Sequence, residues 1–231
     1  MNNELLVVQV RMSSSRLPGK ALLKLNDTTI LQYLLKKLRN TKRQVIVATS
    51  THISDDILEA LCLDMGIDCY RGSLENVFSR FLSISEKYNA KIIVRITADN
   101  PFIDIDEINY QLLFSEQESF YFDGIGEGGY IPGLGFEIFS TDLLKKYKEQ
   151  IIESKDYMEH VTLFFRENFH SIKTPEERKN TKANYPELSV TIDTLEDFQL
   201  AKYIMNKLKY LKEDGNQIVN ITEQFLQEIE S

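Results

Sequence analysis

An α/β fold, with a mostly parallel sheet flanked by helices, is predicted for this 231-residue chain by two features of its first half. Short runs of nearly unbroken Val, Ile and Leu alternate with segments of helical periodicity. The apolar runs lack the polar alternation of a half-exposed strand, so each suits a strand covered on both faces. Strand–helix units of this length connect parallel neighbours through right-handed crossovers. Neither a repeat nor a linker divides the chain. One domain over residues 1–231, with a flap or inserted region at about 119–170, is expected.

The first strand is Leu5 to Val10. The next helix carries Ile30, Leu34, Leu35 and Leu38 on one stripe. Gln44 to Ala48 is a strand, and Ser54 before Asp55 and Asp56 reads as an N-cap with acidic first-turn residues. Another strand precedes Arg71, and Ser73 caps a helix bearing Val77, Phe78, Phe81 and Ile84. Lys91 to Ile96 is a strand, and Asp104-x-x-Glu107 opens a helix as a capping-box variant. In the less regular second half, Ser119 to Phe122 and Phe136 to Phe139 read as strands. Helices are expected from Thr141 to about Gln150 and from Asp156 to about Arg166. Ser189 to Ile192 is a late strand, Thr194-x-x-Asp197 opens a helix, and Asn220-x-x-Glu223 caps the last one.

Lys and Arg total 27 against 35 Asp and Glu, a balance of −8 that argues against bulk attraction to nucleic acid or to an anionic membrane. The N-terminus lacks the basic and apolar regions of a signal peptide, and no apolar run is long enough to span a bilayer. Cys62 and Cys69 form neither a zinc pattern nor a disulfide framework and read as ordinary thiols of a reducing compartment, so the cytoplasm is expected.

The sharpest local feature is RMSSSRLPGK, Arg11 to Lys20, where the first strand ends. The carboxyl edge of an open α/β sheet is where ligands bind. Serine hydroxyls, backbone N–H groups and three cations are the groups that surround phosphate oxygens. A solvated basic loop with serine turns is the plain alternative. The segment is neither a Walker A loop nor a Rossmann fingerprint. The letters G-x-G-x-x-G do occur at Gly124, Gly126 and Gly129, but Tyr130-Ile131-Pro132-Gly133 follows instead of a helix, which leaves a flexible active-site loop or a turn. Tyr33-x-x-x-Lys37 resembles a dehydrogenase pair in letters only and reads as solvated.

Asp99 and Asp193 each follow a strand and so fall near that same edge. Two carboxylates facing phosphates would repel them unless a divalent cation intervened, and Mg²⁺ suits such an oxygen-rich site. Capping and turn formation are the competing roles. Arg71, Arg80 and Arg95 are candidates for a substrate carboxylate or phosphate, or for structural ion pairs. Arg95, inside an apolar strand, needs a partner in either case. Glu159 and His160 sit in a helical segment, where His160 is either a substrate contact or a half-buried structural histidine; His52 and His170 have weaker claims.

Together, RMSSSRLPGK (11–20), VIVATS (45–50), YRGSLENVFSRF (70–81), VRITADNPFID (94–104), GLGFEIFS (133–140), EHVT (159–162) and VTIDTLEDFQLAK (190–202) resemble a known family. It is the cytidylyltransferase group that includes SpsF-like spore coat polysaccharide proteins and is related to the CMP-ketodeoxyoctonate and CMP-sialate synthetases. The resemblance implies a single Rossmann-like nucleotidyltransferase domain with a mostly parallel mixed sheet. It assigns Arg11, Ser13, Arg16 and Lys20 to CTP, with Arg71 and Thr97 in the same nucleotide-binding group, and Asp99 and Asp193 to Mg²⁺. Gly135, Glu137, Glu159 and His160, with Arg80 and Arg95, fall to the sugar. Arg16, Lys20, Asp99 and Asp193 form the implied catalytic set. Asn100 and Leu195 depart from the family pattern, which favours a small residue and a proline at these places.

The implied reaction is in-line attack by a sugar hydroxyl, typically of an acidic 2-keto-3-deoxy sugar, on the α-phosphorus of CTP. It yields a CMP-sugar and pyrophosphate for surface polysaccharide synthesis. Competing readings are a sugar-1-phosphate nucleotidyltransferase, a glycosyltransferase, or a non-enzymatic relative. Asp104-x-Asp106 has the letters of a glycosyltransferase metal motif but fits a helix cap better, and retention of both Asp99 and Asp193 weighs against loss of activity. Expected partners are small-molecule nucleotide and sugar substrates, with neither nucleic acid nor membrane insertion. The aromatic stretch Tyr110 to Phe122 suits a homodimer surface or a covered strand.

Overall fold

The computed structural model describes residues 3–115, 119–125, 129–169, 185, 187–209 and 213–230. In chain order the strands are β1 (Glu4–Gln9), β2 (Lys24–Leu25), β3 (Thr28–Thr29), β4 (Gln44–Ser50), β5 (Asp68–Gly72), β6 (Ile92–Thr97), β7 (Tyr121–Asp123) and β8 (Glu137–Ser140). Six of them form one sheet in the order β5–β4–β1–β6–β8–β7, and β2 pairs with β3 separately. β1, β4, β5 and β6 are mutually parallel, while β8 runs antiparallel to β6 and β7 antiparallel to β8. This is the mixed, mostly parallel sheet that the unbroken apolar runs require.

Strand alternation divides the core. Leu6, Val8, Val47 and Val94 face one side, against α1 (Ile30–Arg39), α2 (Asp56–Met65) and α4 (Ile105–Leu112). Leu5, Val7, Ile46 and Ile93 face the other, against α3 (Val77–Lys87), α5 (Thr141–Lys146), α6 (Lys148–Ile152) and α8 (Leu163–Asn168), with α7 (Lys155–Glu159) beside α3. A third cluster joins Leu25, Ile30 and Phe102 to α9 (Leu195–Leu208) and α10 (Gly215–Glu230). Cys62 and Cys69 are free thiols packed in the first of these cores. Among the described residues no helix is long and apolar enough to cross a membrane.

Several local expectations need correction. Ser189 to Ile192 joins no sheet; it lies against the Pro132 loop and Asp99 through single backbone hydrogen bonds. Asn220 does not start the last helix. Asp214 does, its carboxylate accepting the Gln217 N–H at 3.0 Å. The helix expected from Thr141 is interrupted at Tyr147, and the one expected through Arg166 is interrupted after Glu159. Asn76, not Ser73, caps α3. Tyr33 and Lys37 are not solvated: both bind Glu213, tying α1 to the chain leading into α10. Phe120, Tyr121 and Phe122 pack inside the chain's own core. His170 and Gly126 lie outside the described residues.

Candidate active site

Strand order reverses at β1. The chain steps outward to β4 and β5, and α3 then returns it to β6 on the other side of β1. Loops leaving β1 and β6 therefore part, and such a divergence is where open α/β sheets bind ligands. A cleft of about 330 Å³ opens there. Of the residues singled out in the sequence, Arg11, Arg16, Lys20, Arg80, Thr97, Asp99, Glu159, His160 and Asp193 line it. Ser14 and Ser15 of the serine run line it as well, and so does Gln9, which was missed. Gln9 had one signal, as the polar residue at the end of an apolar strand. Ser13 lies just outside.

Asp99 and Asp193 meet because Ile192 donates its backbone N–H to the Asp99 carbonyl at 2.9 Å. The segment is held from its other side by Val190, whose N–H donates to the Pro132 carbonyl at 2.8 Å. Gly133, at φ +100°, permits that approach: a Cβ there would lie 2.4 Å from the Val190 carbonyl carbon. The Thr194–Asp197 capping box then starts α9 immediately after Asp193. Between the two carboxylates, the Lys20 ammonium donates to Asp99 Oδ2 at 2.7 Å, Asp193 Oδ1 at 2.9 Å and the Ile192 carbonyl at 2.9 Å. Arg16 Nη2 pairs with Asp193 Oδ2 at 2.7 Å.

Among the described residues no group of three or more His, Cys, Asp or Glu gathers into a metal cage. Two carboxylates at the foot of a cationic cleft still match Mg²⁺, which takes one or two carboxylates and completes its shell with waters and substrate phosphates.

The loop itself turns on Met12, whose carbonyl accepts the N–H groups of Ser14 at 2.9 Å and Gly19 at 3.1 Å. The Met12 N–H in turn donates to Asp55 Oδ1 at 2.8 Å. From the sequence, Asp55 is an acidic first-turn residue. It is fully buried, and its Oδ2 accepts Thr49 Oγ1, the Ser50 N–H and Ser50 Oγ. Burial opposes its charge, but hydrogen bonds from Ser50, Met12 and Thr49 outweigh that and hold the carboxyl below its ordinary range.

Arg80 is the buried cation of the cleft, 1% exposed. Its Nη1 donates to the Ala48 carbonyl at 3.2 Å, and its Nε has no hydrogen-bond partner among the described residues. Burial, with Arg11 and Arg95 nearby, pushes its pKa down to about 10. Gly72 makes room for it: a Cβ there would fall 2.7 Å from Arg80 Cγ. At the mouth, Arg11 Nη2 and Glu159 Oε1 are 3.6 Å apart. Glu159 ends α7, and His160 follows as its exposed C-cap residue.

The remaining candidates lie outside the cleft lining. Arg71, within β5, binds the Ser50 and His52 carbonyls and the carboxylates of Asp56 and Glu59. Arg95 and Glu137 are register partners on β6 and β8 and bind each other. Arg95 Nε also donates to Gln9 Oε1 at 3.0 Å, and Arg166 joins Glu137 to Asp123. Arg95 thus reaches the cleft through Gln9. Gly135 packs against Gly124 and Ile125.

Comparison with known proteins identifies the family. The cytidylyltransferase family model matches residues 5–225. An uncharacterized protein of Methanocaldococcus jannaschii is 34% identical over 221 residues, covering 93% of this chain and 88% of its own length. The spore coat polysaccharide biosynthesis protein SpsF of Bacillus subtilis (strain 168) is 32% identical over 219 residues, covering 90% and 88%. A solved cytidylyltransferase structure from Leptospira borgpetersenii aligns with a TM-score of 0.85 at 27% identity, covering 98% of this chain and 96% of that one. With an α/β sheet of this topology, a cationic cleft at its switch point and relatives matched along nearly their whole lengths, the chain belongs to the SpsF-like cytidylyltransferase family and is a nucleotidyltransferase.

Proposed function

We propose that the protein transfers CMP from CTP to a sugar hydroxyl and releases pyrophosphate, using Mg²⁺, in surface polysaccharide synthesis. The observation that carries this reading is the pairing of Asp99 with Asp193 through Lys20 in a cleft also lined by Arg11, Arg16 and Arg80. Arg11, Arg16 and Lys20 hold the triphosphate and counter charge on departing pyrophosphate. Asp99 and Asp193 hold the divalent cation, which when bound neutralises phosphate charge and polarises the phosphorus under attack. Arg80, buried and without a carboxylate partner among the described residues, presents donors suited to the acceptor edge of the cytosine ring. Glu159 and His160 face the acceptor. Catalysis of this kind rests on positioning and electrostatics, without a covalent intermediate.

An acidic 2-keto-3-deoxy sugar is the proposed acceptor class, and the name of the Bacillus subtilis relative supports the polysaccharide context. The test is pyrophosphate release with each of the four nucleoside triphosphates, Mg²⁺ and a mixture of acidic sugars. Release with CTP at least about tenfold faster than with ATP, GTP or UTP is expected, a margin of about 1.4 kcal/mol. Equal rates overturn the cytidylyl assignment.

A further inference from the structure

We infer that Lys20 holds the Asp99–Asp193 pair closed to a free divalent cation, and that a nucleotide triphosphate opens it by drawing the ammonium away. This role rests on the proposed use of CTP and a divalent cation by this cleft. An ammonium has three N–H donors. All three of Lys20 are taken up inside the protein, at 2.7 and 2.9 Å by the two carboxylates and at 2.9 Å by the Ile192 carbonyl. The Lys20 side chain is only 14% exposed, so water replaces little of this coordination. Arg16 satisfies the remaining charge on Asp193.

Asp99, Asp193, Lys20 and Arg16 together carry no net charge. A dication entering that cluster alone meets an ammonium already hydrogen-bonded to both carboxylates it needs. Removing Lys20 without another anion to receive it leaves a partly buried cation unpaired, which is costly. A triphosphate supplies that anion. Once Lys20 and the exposed Arg16 turn to phosphate oxygens, the two carboxylates face each other uncompensated, and a dication becomes the favourable occupant. Nucleotide and metal affinities are therefore coupled through one side chain, and the coupling is reciprocal. Lys20 is in this respect a positioning residue for the metal site, in addition to its contact with phosphate.

The experiment titrates Mn²⁺ alone into nucleotide-free full-length protein and follows bound ion by electron paramagnetic resonance. Lys20→Met is expected to bind Mn²⁺ at least about tenfold more tightly than wild type, about 1.4 kcal/mol. Lys20→Arg, which keeps the charge, stays at the wild-type level, and adding Asp99→Asn to Lys20→Met abolishes the gain. Lys20→Gln, whose amide still donates to a carboxylate, keeps the test open if Lys20→Met fails to fold; it is expected to gain affinity by a smaller factor. Equal Mn²⁺ affinity in wild type and the neutral variants overturns the role of Lys20, as does an equal gain in Lys20→Arg. Calorimetry of the wild type with CTP and Mn²⁺ separates the two levels. Binding there, with no gain in the lysine variants, refutes the closure alone, whereas absence of binding refutes the proposed function and the closure with it.

Discussion

Asp55 accepts the backbone N–H of Met12 at 2.8 Å, joining residues 43 apart in the chain and fixing the start of the cationic loop. The same carboxylate takes three further hydrogen bonds from Thr49 and Ser50 at the end of β4. A buried acid thus sets where Arg11, Arg16 and Lys20 begin, without lining the cleft itself.

Asp55→Asn turns an amide N–H₂ toward donors. It is expected to cost about 3 kcal/mol of stability, in line with losing hydrogen bonds to a buried charge, and to raise the KM for CTP. The carboxyl of Asp55 titrates below its ordinary range in the folded protein. Its stabilising contribution is therefore complete above the unfolded value of about 3.9 and is lost as pH falls through the lower folded value. Denaturant melts from pH 2 to 7 should show wild type losing stability at the acid end more steeply than Asp55→Asn. Parallel curves would remove Asp55 from this role.

Arg80→Met separates structural from functional burial. Burial pushes the Arg80 pKa down to about 10, so its charge costs the folded state at neutral pH, a cost relieved only as pH rises through that value toward the higher unfolded one. The variant is expected to melt no lower than wild type while losing about ten- to a hundredfold in kcat/KM for CTP, the range of one charge-assisted hydrogen bond. A drop in Tm with unchanged kcat/KM would make Arg80 a structural residue.

Gly133→Ala places a Cβ against the Val190–Thr191 backbone at a φ of +100°. Because backbone cannot swing aside as a side chain does, the cost is expected to be about 2 kcal/mol, an overpacking value. Displacement of Asp193 should lower turnover along with Tm. Thermal melts and rates on the same preparation check both, and loss of stability with full turnover would uncouple this glycine from the site.

Asp99→Ala and Asp193→Ala are each expected to lower turnover at least about a hundredfold, as removal of one preorganised charge contact does, with the secondary structure intact by circular dichroism. Near-wild-type turnover in either variant would take that residue out of the chemistry.

How much of this was legible in the sequence follows from where each contact lies. Asp99 and Asp193 were readable because each follows a segment that reads as a strand, and Lys20 because its cationic loop leaves the first strand; strand ends in such sheets share an edge. Their convergence has a different cause at Asp193, since Ser189 to Ile192 is no strand and depends on Gly133 and Asp99 to hold it. Arg95 announced a need for a partner, but Glu137 is identified only by the β6–β8 register, which local pattern does not specify. Asp55 carried a correct local signal, an acid at the start of a helix, that masked a tertiary contact to Met12. The breaks at Tyr147 and after Glu159 were hidden because apolar spacing continues across them while the backbone turns.

A crystal structure of the protein with CTP and Mn²⁺, the ion located by its anomalous scattering, is the most direct test. The triphosphate is expected along Arg11, Arg16 and Lys20, the ion on Asp99 and Asp193 with Lys20 turned from the carboxylates to phosphate, and the cytosine ring beside Arg80. A nucleotide bound elsewhere, or an ion away from both carboxylates, would contradict the proposed site.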